Sequence, residues 1–516
     1  MKRFPALTCV CLLWFAHSLS AQTTNPCPAN TPFDPGTGAS WNGWGADIAN
    51  TRFEDQKSAG IAAADVPRLK LKWAFGFPGA KSVYGQPSVV GGRVFVGVDT
   101  GAVYSLDAAT GCVYWMFQAD SGVRSAVTLH RIETRFIAYF GDGNANAYAV
   151  DAATGQQIWK THVDAHASAR ITGGTKVFEG RVYVPVSSGE EGAGPNRNYP
   201  CCTFRGSVVA LDAATGKQVW KTYTIAEEPK LLGKNSNGVQ RFGPAGAGVW
   251  NSPTIDPARH ALYIGTGDSY TEPAADTTDA IMALDLNTGK ILWSVQDTGK
   301  DTWLAGCNGA TPPENCPKEL GPDHDFGSPP ILKTLPNGRT ILVAGQKSGN
   351  VWAHDPDKKG AVIWKTALVN NTNEFGGKIV WGGAADDQNA YFGLGPGGIA
   401  AVQLRDGERK WFTLPELAPA LAKHPGHEGP LTAIPGVVFS GAWDGVLRAL
   451  STANGKVIWE YNTIQDFTTV NGIAAKGGSM GAAGPVIAGG VLFVPSGYVG
   501  VRQGILGNVL LALTVQ

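Results

Sequence analysis

One pattern recurs along most of this chain and restricts its fold more than any other feature. "YSLDAATGCVYW" (104–115), "YAVDAATGQQIW" (148–159), "VALDAATGKQVW" (209–220) and "MALDLNTGKILW" (282–293) are copies of one motif. Weaker copies are "WAHDPDKKGAVIW" (352–364), "AAVQLRDGERKW" (400–411) and "RALSTANGKVIW" (448–459), and an isolated "LKLKW" ends at Trp73. The closing tryptophans are Trp73, Trp115, Trp159, Trp220, Trp293, Trp364, Trp411 and Trp459, eight in all. In each unit a β-rich run such as "GRVFVGV" leads to a glycine turn, then "AVYSLD", then "AATG", then a short strand carrying the tryptophan. Asp-x-x-Thr-Gly is turn chemistry, because the Asp side chain bonds nearby N–H groups and Gly allows positive φ. Strand–turn–strand units of about 40–50 residues mark propeller blades. The expected fold is therefore all-β, an eight-bladed β-propeller with the tryptophans packed between blades. Trp73 precedes the first full motif and "GNVLLALTVQ" follows the last, so the two terminal segments are expected to share the closing blade.

The remaining bounds come from the ends and the charges. Lys+Arg and Asp+Glu balance at 42 each, which gives no bulk attraction to nucleic acid or anionic membrane. "MKRFPALTCVCLLWFAHSLSAQ" runs from cations through an apolar stretch to small residues, the layout of a secretory signal over 1–21. Its apolar run is too short for a membrane span, and no other segment carries a long uncharged apolar run. Residues 22–516 are then expected to form one propeller domain, periplasmic or secreted. Removing the signal removes Cys9 and Cys11 and leaves six cysteines, an even number consistent with disulfides in an exported chain. "CNGATPPENC" (307–316) reads as a locally bridged loop and Cys27 could reach Cys112, which leaves Cys201 beside Cys202. Neighbouring Cα atoms lie about 3.8 Å apart across a trans peptide, shorter than an ordinary disulfide prefers. The even count and the compartment nevertheless favour a bond between them over two free thiols.

Spacing locates the chemistry. Successive tryptophans lie 42, 44, 61, 73, 71, 47 and 48 residues apart, so three consecutive units carry insertions, roughly within 181–208, 222–280 and 294–345. Insertions in a propeller fall on loops, where function resides. The first holds "SSGEEGAGPNRNYPCCTFRG" with Glu190, Glu191, the cysteine pair and Arg205; the second holds Trp250 and Asp268; the third holds "GPDHDFGSPP" with Asp323 and Asp325. Any one of these acids alone reads best as a solvated or turn-capping residue. Three of them on the three expanded units suit a hard cation such as Ca²⁺, which prefers several oxygen ligands.

With these motifs, from "WNGWGADIANTRF" to "SGYVG", the chain resembles the pyrroloquinoline quinone (PQQ) alcohol dehydrogenases, eight-bladed propellers that bind PQQ and usually Ca²⁺. The "VSSGEE…YPCCTFRGSVVALDAATGK" block looks closest to the polyvinyl alcohol dehydrogenase branch. The resemblance implies that Asp325 of "DHDFG" is both metal ligand and general base. It implies further that Asp268 of "GTGD" and Glu191 of "SSGEE" are metal ligands, with Glu190 close enough to compete. Trp250 would stack beneath the quinone, with Ser188 and Gly189 beside its edge. Arg124, Thr172 and Lys347 would meet its carboxylates or quinone oxygens, with Arg205 and Arg170 as further cations. The pair Cys201–Cys202 would cover the ring face opposite Trp250. Lanthanide-using relatives carry another aspartate two residues after the catalytic one; Gly327 stands there, which favours Ca²⁺, while Asp268 replaces a residue that is often Asn. The implied reaction is oxidation of an alcohol, secondary or polyhydroxylated, with hydride passing to PQQ.

Other signals lead elsewhere. "GLGPGG" (393–398) is followed by strand rather than helix and reads as a propeller turn. "HPGHE" (424–428) reads as an exposed loop. No C-x-x-C-H occurs, so a separate acceptor such as a soluble c-type cytochrome is expected. The repeat itself is shared with scaffold propellers of outer-membrane assembly, which makes a non-catalytic scaffold the competing reading.

Overall fold

A computed structural model describes residues 25–29, 31–36, 38–369, 378–416, 426–500 and 504–516. The leader over 1–21 and His424 lie outside the described residues. Seven blades are consecutive antiparallel sheets, each read inner strand to outer, as in Ser88–Val90, Arg93–Gly97, Ala102–Asp107 and Val113–Gln118 for the first. The eighth is composite. Leu69–Gly76 from the start of the chain pairs as its outer strand with Val509–Val515 from the end, Leu69 opposite Val515. The ring is eight-bladed and closes where the terminal segments were expected to meet.

The repeat is explained by how blades dock. In the turn at 107–111 the Asp107 carboxylate accepts from the N–H groups of Ala109 and Thr110 and from the Thr110 hydroxyl. This leaves Gly111 at φ +73°. In the next turn a Cβ on Gly155 would lie 2.7 Å from the Trp115 ring, so the glycine is the seat for the preceding blade's tryptophan. That indole then donates to Ala152 O at 3.0 Å. Trp159 repeats the arrangement on Gly216 and Ala213, and Trp220 on Gly289 and Leu286. Each motif thus carries both halves of a dock, the turn that receives one blade and the tryptophan that enters the next.

The segment 41–54 threads the centre of the ring and touches every blade. Trp41 pairs with Val89, Asn42 with Leu129, and Lys176 donates to Asp47 O. Ile255, Leu332 and Ala385 donate backbone N–H groups to Ile48, Ala49 and Thr51, and Glu54 donates to Ala433 O. Arg52 completes the circuit by bonding Leu431 O, Thr432 and Pro485 O. It is 0% exposed, lies over the Trp41 and Trp44 rings, and burial lowers its pKa to about 9. Strand direction fixes what lies on each end of the ring. The Asp-x-x-Thr-Gly turns share one face, and the loops joining second to third strands and blade to blade share the other. All three insertions belong to that second face. Among the described residues no helix is long and apolar enough to cross a membrane.

Candidate active site

The three insertions, separate in sequence, fold into one cap. The Asn315 amide donates to the carbonyls of Gly194, Asn196 and Tyr199 in the first insertion, and its oxygen accepts from Asn235 in the second. Ala305 N–H donates to Glu191 O. Cys27–Cys112, Cys307–Cys316 and Cys201–Cys202 are all disulfide-bonded. The adjacent pair is buried, and Phe242 bonds both Cys201 O and Cys202 N from the exposed hairpin formed by Lys230–Lys234 and Gln240–Gly243.

Under the cap, Asp268, Asp323 and Asp325 bring carboxylate oxygens within 4.8 Å of one another, all buried. Asp268 N–H donates to Asp325 Oδ1 at 2.7 Å. The Lys347 ammonium bridges Asp323 Oδ1 at 2.6 Å and Asp325 Oδ2 at 2.7 Å, and Lys378 also pairs with Asp323. Glu191 faces the same group: burial, together with Asp325 and Asp323, pushes its carboxyl up to about 7 against the pull of Lys347. Burial and these neighbouring carboxylates raise Asp268 well above its usual range. For Asp323 burial acts upward as well, but Lys347 and Lys378 outweigh it and hold its carboxyl low. Fully ionised, these four carboxylates would outnumber the two ammonium groups, and among the described residues Asp268 Oδ2 has no hydrogen-bond partner. That is an unmet need for a cation, and an all-oxygen donor set suits a hard one.

Beside the acids stands Trp250. The Lys347 ammonium lies 5.3 Å from its ring centre, and Trp381 meets it edge-on at 5.1 Å. A Cβ on Gly327 would lie 1.9 Å from Trp250 Cη2, so only glycine fits under this ring. A cavity is bounded by Trp250, Arg124, Thr172, Tyr84, Trp381 and Trp44, the last from the central segment. The Arg124 guanidinium lies 4.0 Å from the Trp381 ring centre. Thr172 Oγ1 and Ser187 Oγ are 2.9 Å apart, and Ser188 Oγ is 3.4 Å from the Tyr270 hydroxyl. A Cβ on Gly189 would strike the Arg170 guanidinium at 2.4 Å.

Two sequence candidates are occupied otherwise. Arg205 donates to the carbonyls of Ile225 and Ala226 and stacks on Tyr223, so its guanidinium serves the loop. Glu190 is 0% exposed and bonded within its own insertion. His427, expected on an exposed loop, is instead buried against Ser440, and burial lowers its pKa to about 3; the polar spelling "HPGHE" hid a core position. Trp381, Tyr84, Lys378 and Asp301 were missed. The first two had a signal, since "VYGQP", "VWNSP" and "VWGGA" put an aromatic at the same place in three units. Asp301, whose carboxylate takes the N–H groups of Asp323 and His324, had none.

Comparison with known proteins bears on the chain as a whole. The family profile described as "PQQ: Glucose/ethanol/alcohol dehydrogenase, beta-propeller domain" matches residues 41–353. One described as "Outer membrane protein assembly factor BamB" matches 277–504, a span that leaves out Glu191, the cysteine pair, Trp250 and Asp268. A polyvinylalcohol dehydrogenase of Pseudomonas sp is 44% identical, covering 98% of this chain and 81% of the relative. A second, from Sphingopyxis sp. (strain 113P3), is 40% identical over 94% of this chain and 78% of its own. Among solved structures, a europium-containing methanol dehydrogenase superposes with a TM-score of 0.68 at 19% identity, covering 92% of this chain and 98% of that one, a likeness of fold.

Proposed function

The chain belongs to the PQQ-dependent alcohol dehydrogenases, and on that premise we propose that it oxidises a secondary or polyhydroxylated alcohol to the carbonyl with Asp325 as general base. The observation that carries this reading is the buried carboxylate cluster beside Trp250, with Asp268 Oδ2 lacking a partner among the described residues and Lys347 spanning Asp323 and Asp325. The residues fit the groups the family uses. Glu191, Asp268 and Asp325 would hold Ca²⁺. Trp250 would carry one face of PQQ and Cys201–Cys202 the other, with Ser188 and Gly189 at its edge. Arg124, Thr172 and Lys347 would take its oxygens. When bound, PQQ supplies a two-electron acceptor and the metal a Lewis acid.

The protein's own part is proton and charge handling. Asp325 accepts one hydrogen bond at each oxygen, from Asp268 N–H and from Lys347, which fixes the carboxylate plane. Its remaining lone pairs are free to take the proton of a substrate hydroxyl. Lys347 keeps its proton firmly: burial works against it, but Asp323, Asp325, Glu191 and Asp268 outweigh burial, so it acts as fixed positive charge rather than as an acid. The cap keeps water from this charge, which strengthens every interaction beneath it.

The names of the two relatives extend the reading to polyvinyl-alcohol-like substrates. The leader supports residues 22–516 as the mature single domain, periplasmic or secreted, passing electrons to a separate acceptor such as a c-type cytochrome. A non-catalytic scaffold has no use for a dry carboxylate cluster. The test is to add PQQ and Ca²⁺ to purified apoprotein and follow dye reduction with a panel of alcohols. Alcohol-dependent reduction that needs both additions is expected; no PQQ uptake and no reduction would sink the proposal.

A further inference from the structure

Two adjacent glutamates open the first insertion, and their surroundings are opposite. Glu191 faces Lys347 and the aspartates. Glu190, fully buried, receives Thr203 N–H at 3.0 and 3.1 Å, Phe204 N–H at 2.8 Å and the Tyr199 hydroxyl at 3.1 Å. His166 Nδ1 accepts from Ser168 N–H, so the neutral ring carries its proton on Nε2. That nitrogen lies 3.1 Å from Thr203 Oγ1 and 3.4 Å from Glu190 Oε1. Thr203 and Phe204 directly follow the Cys201–Cys202 disulfide. A buried carboxylate is costly unless its lone pairs are filled, and here donors from one short stretch fill them. The disulfide is therefore clamped on two sides, by Glu190 through Thr203 and Phe204 and by the Phe242 strand.

We propose that Glu190 is the positioning residue of this disulfide. Its carboxylate fixes the 201–204 stretch so that the sulfur pair is presented to the cofactor face, and it is not a metal ligand. The proposal rests on the reading that PQQ stacks against the pair. A carboxylate is needed because its two oxygens accept from separate donors; an amide accepts through one oxygen and turns an N–H₂ group toward N–H donors.

The test uses Glu190→Gln, the milder Tyr199→Phe, and Glu191→Gln as contrast. In the apoprotein, reduction of Cys201–Cys202 by a water-soluble phosphine, followed by peptide mass spectrometry, is expected to be about tenfold faster in Glu190→Gln, the loss of one charge-assisted hydrogen bond. Tyr199→Phe is expected to show a smaller increase, and it decides the matter if Glu190→Gln does not fold. PQQ is expected to leave loaded Glu190→Gln about tenfold faster than wild type. Glu191→Gln is expected to keep the wild-type reduction rate and to lose Ca²⁺ affinity by calorimetry. Wild-type reduction rates in both Glu190→Gln and Tyr199→Phe overturn the proposal, as does a Glu190→Gln protein that loses Ca²⁺ affinity with its disulfide still protected. Failure of the cofactor reading shows separately, as wild-type protein that takes up no PQQ.

Discussion

Gly327→Ala adds one methyl group and is expected to cost most of the cofactor affinity. The new Cβ would stand 1.9, 2.4 and 2.5 Å from Trp250 Cη2, Cζ2 and Cζ3. Ordinary carbon contacts sit near 3.5–4.0 Å, so ring or loop must retreat by about 1.5 Å. The ring has little room, with Trp381 edge-on at 5.1 Å and the Lys347 ammonium 5.3 Å from its centre. Moving the loop instead drags Asp325, two residues away and bonded to Asp268 N–H. Overpacking of this kind costs roughly 1–3 kcal/mol. If the ring is the cofactor's floor, that energy appears as PQQ affinity weakened about five- to 150-fold. The assay is titration of apoprotein with PQQ, read by quenching of tryptophan fluorescence, alongside thermal unfolding. Gly327→Asp meets the same clash and is expected to lose PQQ rather than gain a metal ligand. Wild-type PQQ affinity in Gly327→Ala would refute the assignment of Trp250 as the floor.

Three further outcomes follow from the same geometry. Asp325→Asn is expected to lower kcat by several orders of magnitude while circular dichroism and Tm stay near wild type; retained turnover would remove Asp325 as base. Glu191 has a folded pKa raised to about 7 in the metal-free protein, so its stabilising contribution is present below pH 4.5 and is lost as pH rises toward and through 7. Apoprotein Tm is accordingly expected to fall over that window, and added Ca²⁺ to restore more of it at pH 7.5 than at pH 5.5, because protons compete for the ligand; a Ca²⁺ effect equal at both pH values contradicts this. Arg52→Leu leaves the carbonyls of Trp44, Leu431 and Pro485 without their buried donor and is expected to destabilise by roughly 3 kcal/mol or more, seen in denaturant unfolding; an unchanged midpoint argues against the central segment as a hub.

Local, repeated chemistry was readable in the sequence, and so was a meeting of carboxylates from the three insertions; the framework that holds them was not. The eightfold ring, the shared closing blade and the three insertions follow from turns and tryptophans whose partners lie one motif away. Cys307–Cys316 followed from its local loop, and Cys201–Cys202 is what a Cys27–Cys112 pairing leaves. The role of segment 41–54 was not legible, because its bonds run to eight separate blades and leave no period. Nor was the division between Glu190 and Glu191, neighbours in sequence at the short helix Glu190–Ala193 whose carboxylates meet different partners. Lys378 pairs with Asp323, and Asp301 holds Asp323 and His324, within a loop fold that spacing does not encode. His427 misled because its burial comes from the surrounding blade rather than from its polar neighbours.

The most direct measurement of the central claim is a crystal structure of the protein loaded with PQQ and Ca²⁺. The account predicts the quinone ring between Trp250 and the Cys201–Cys202 sulfurs. It predicts Ca²⁺ on Glu191, Asp268 and Asp325, and Glu190 still bonded to Thr203 and Phe204. A cofactor seated away from Trp250, or a metal bound without Asp325, would contradict it.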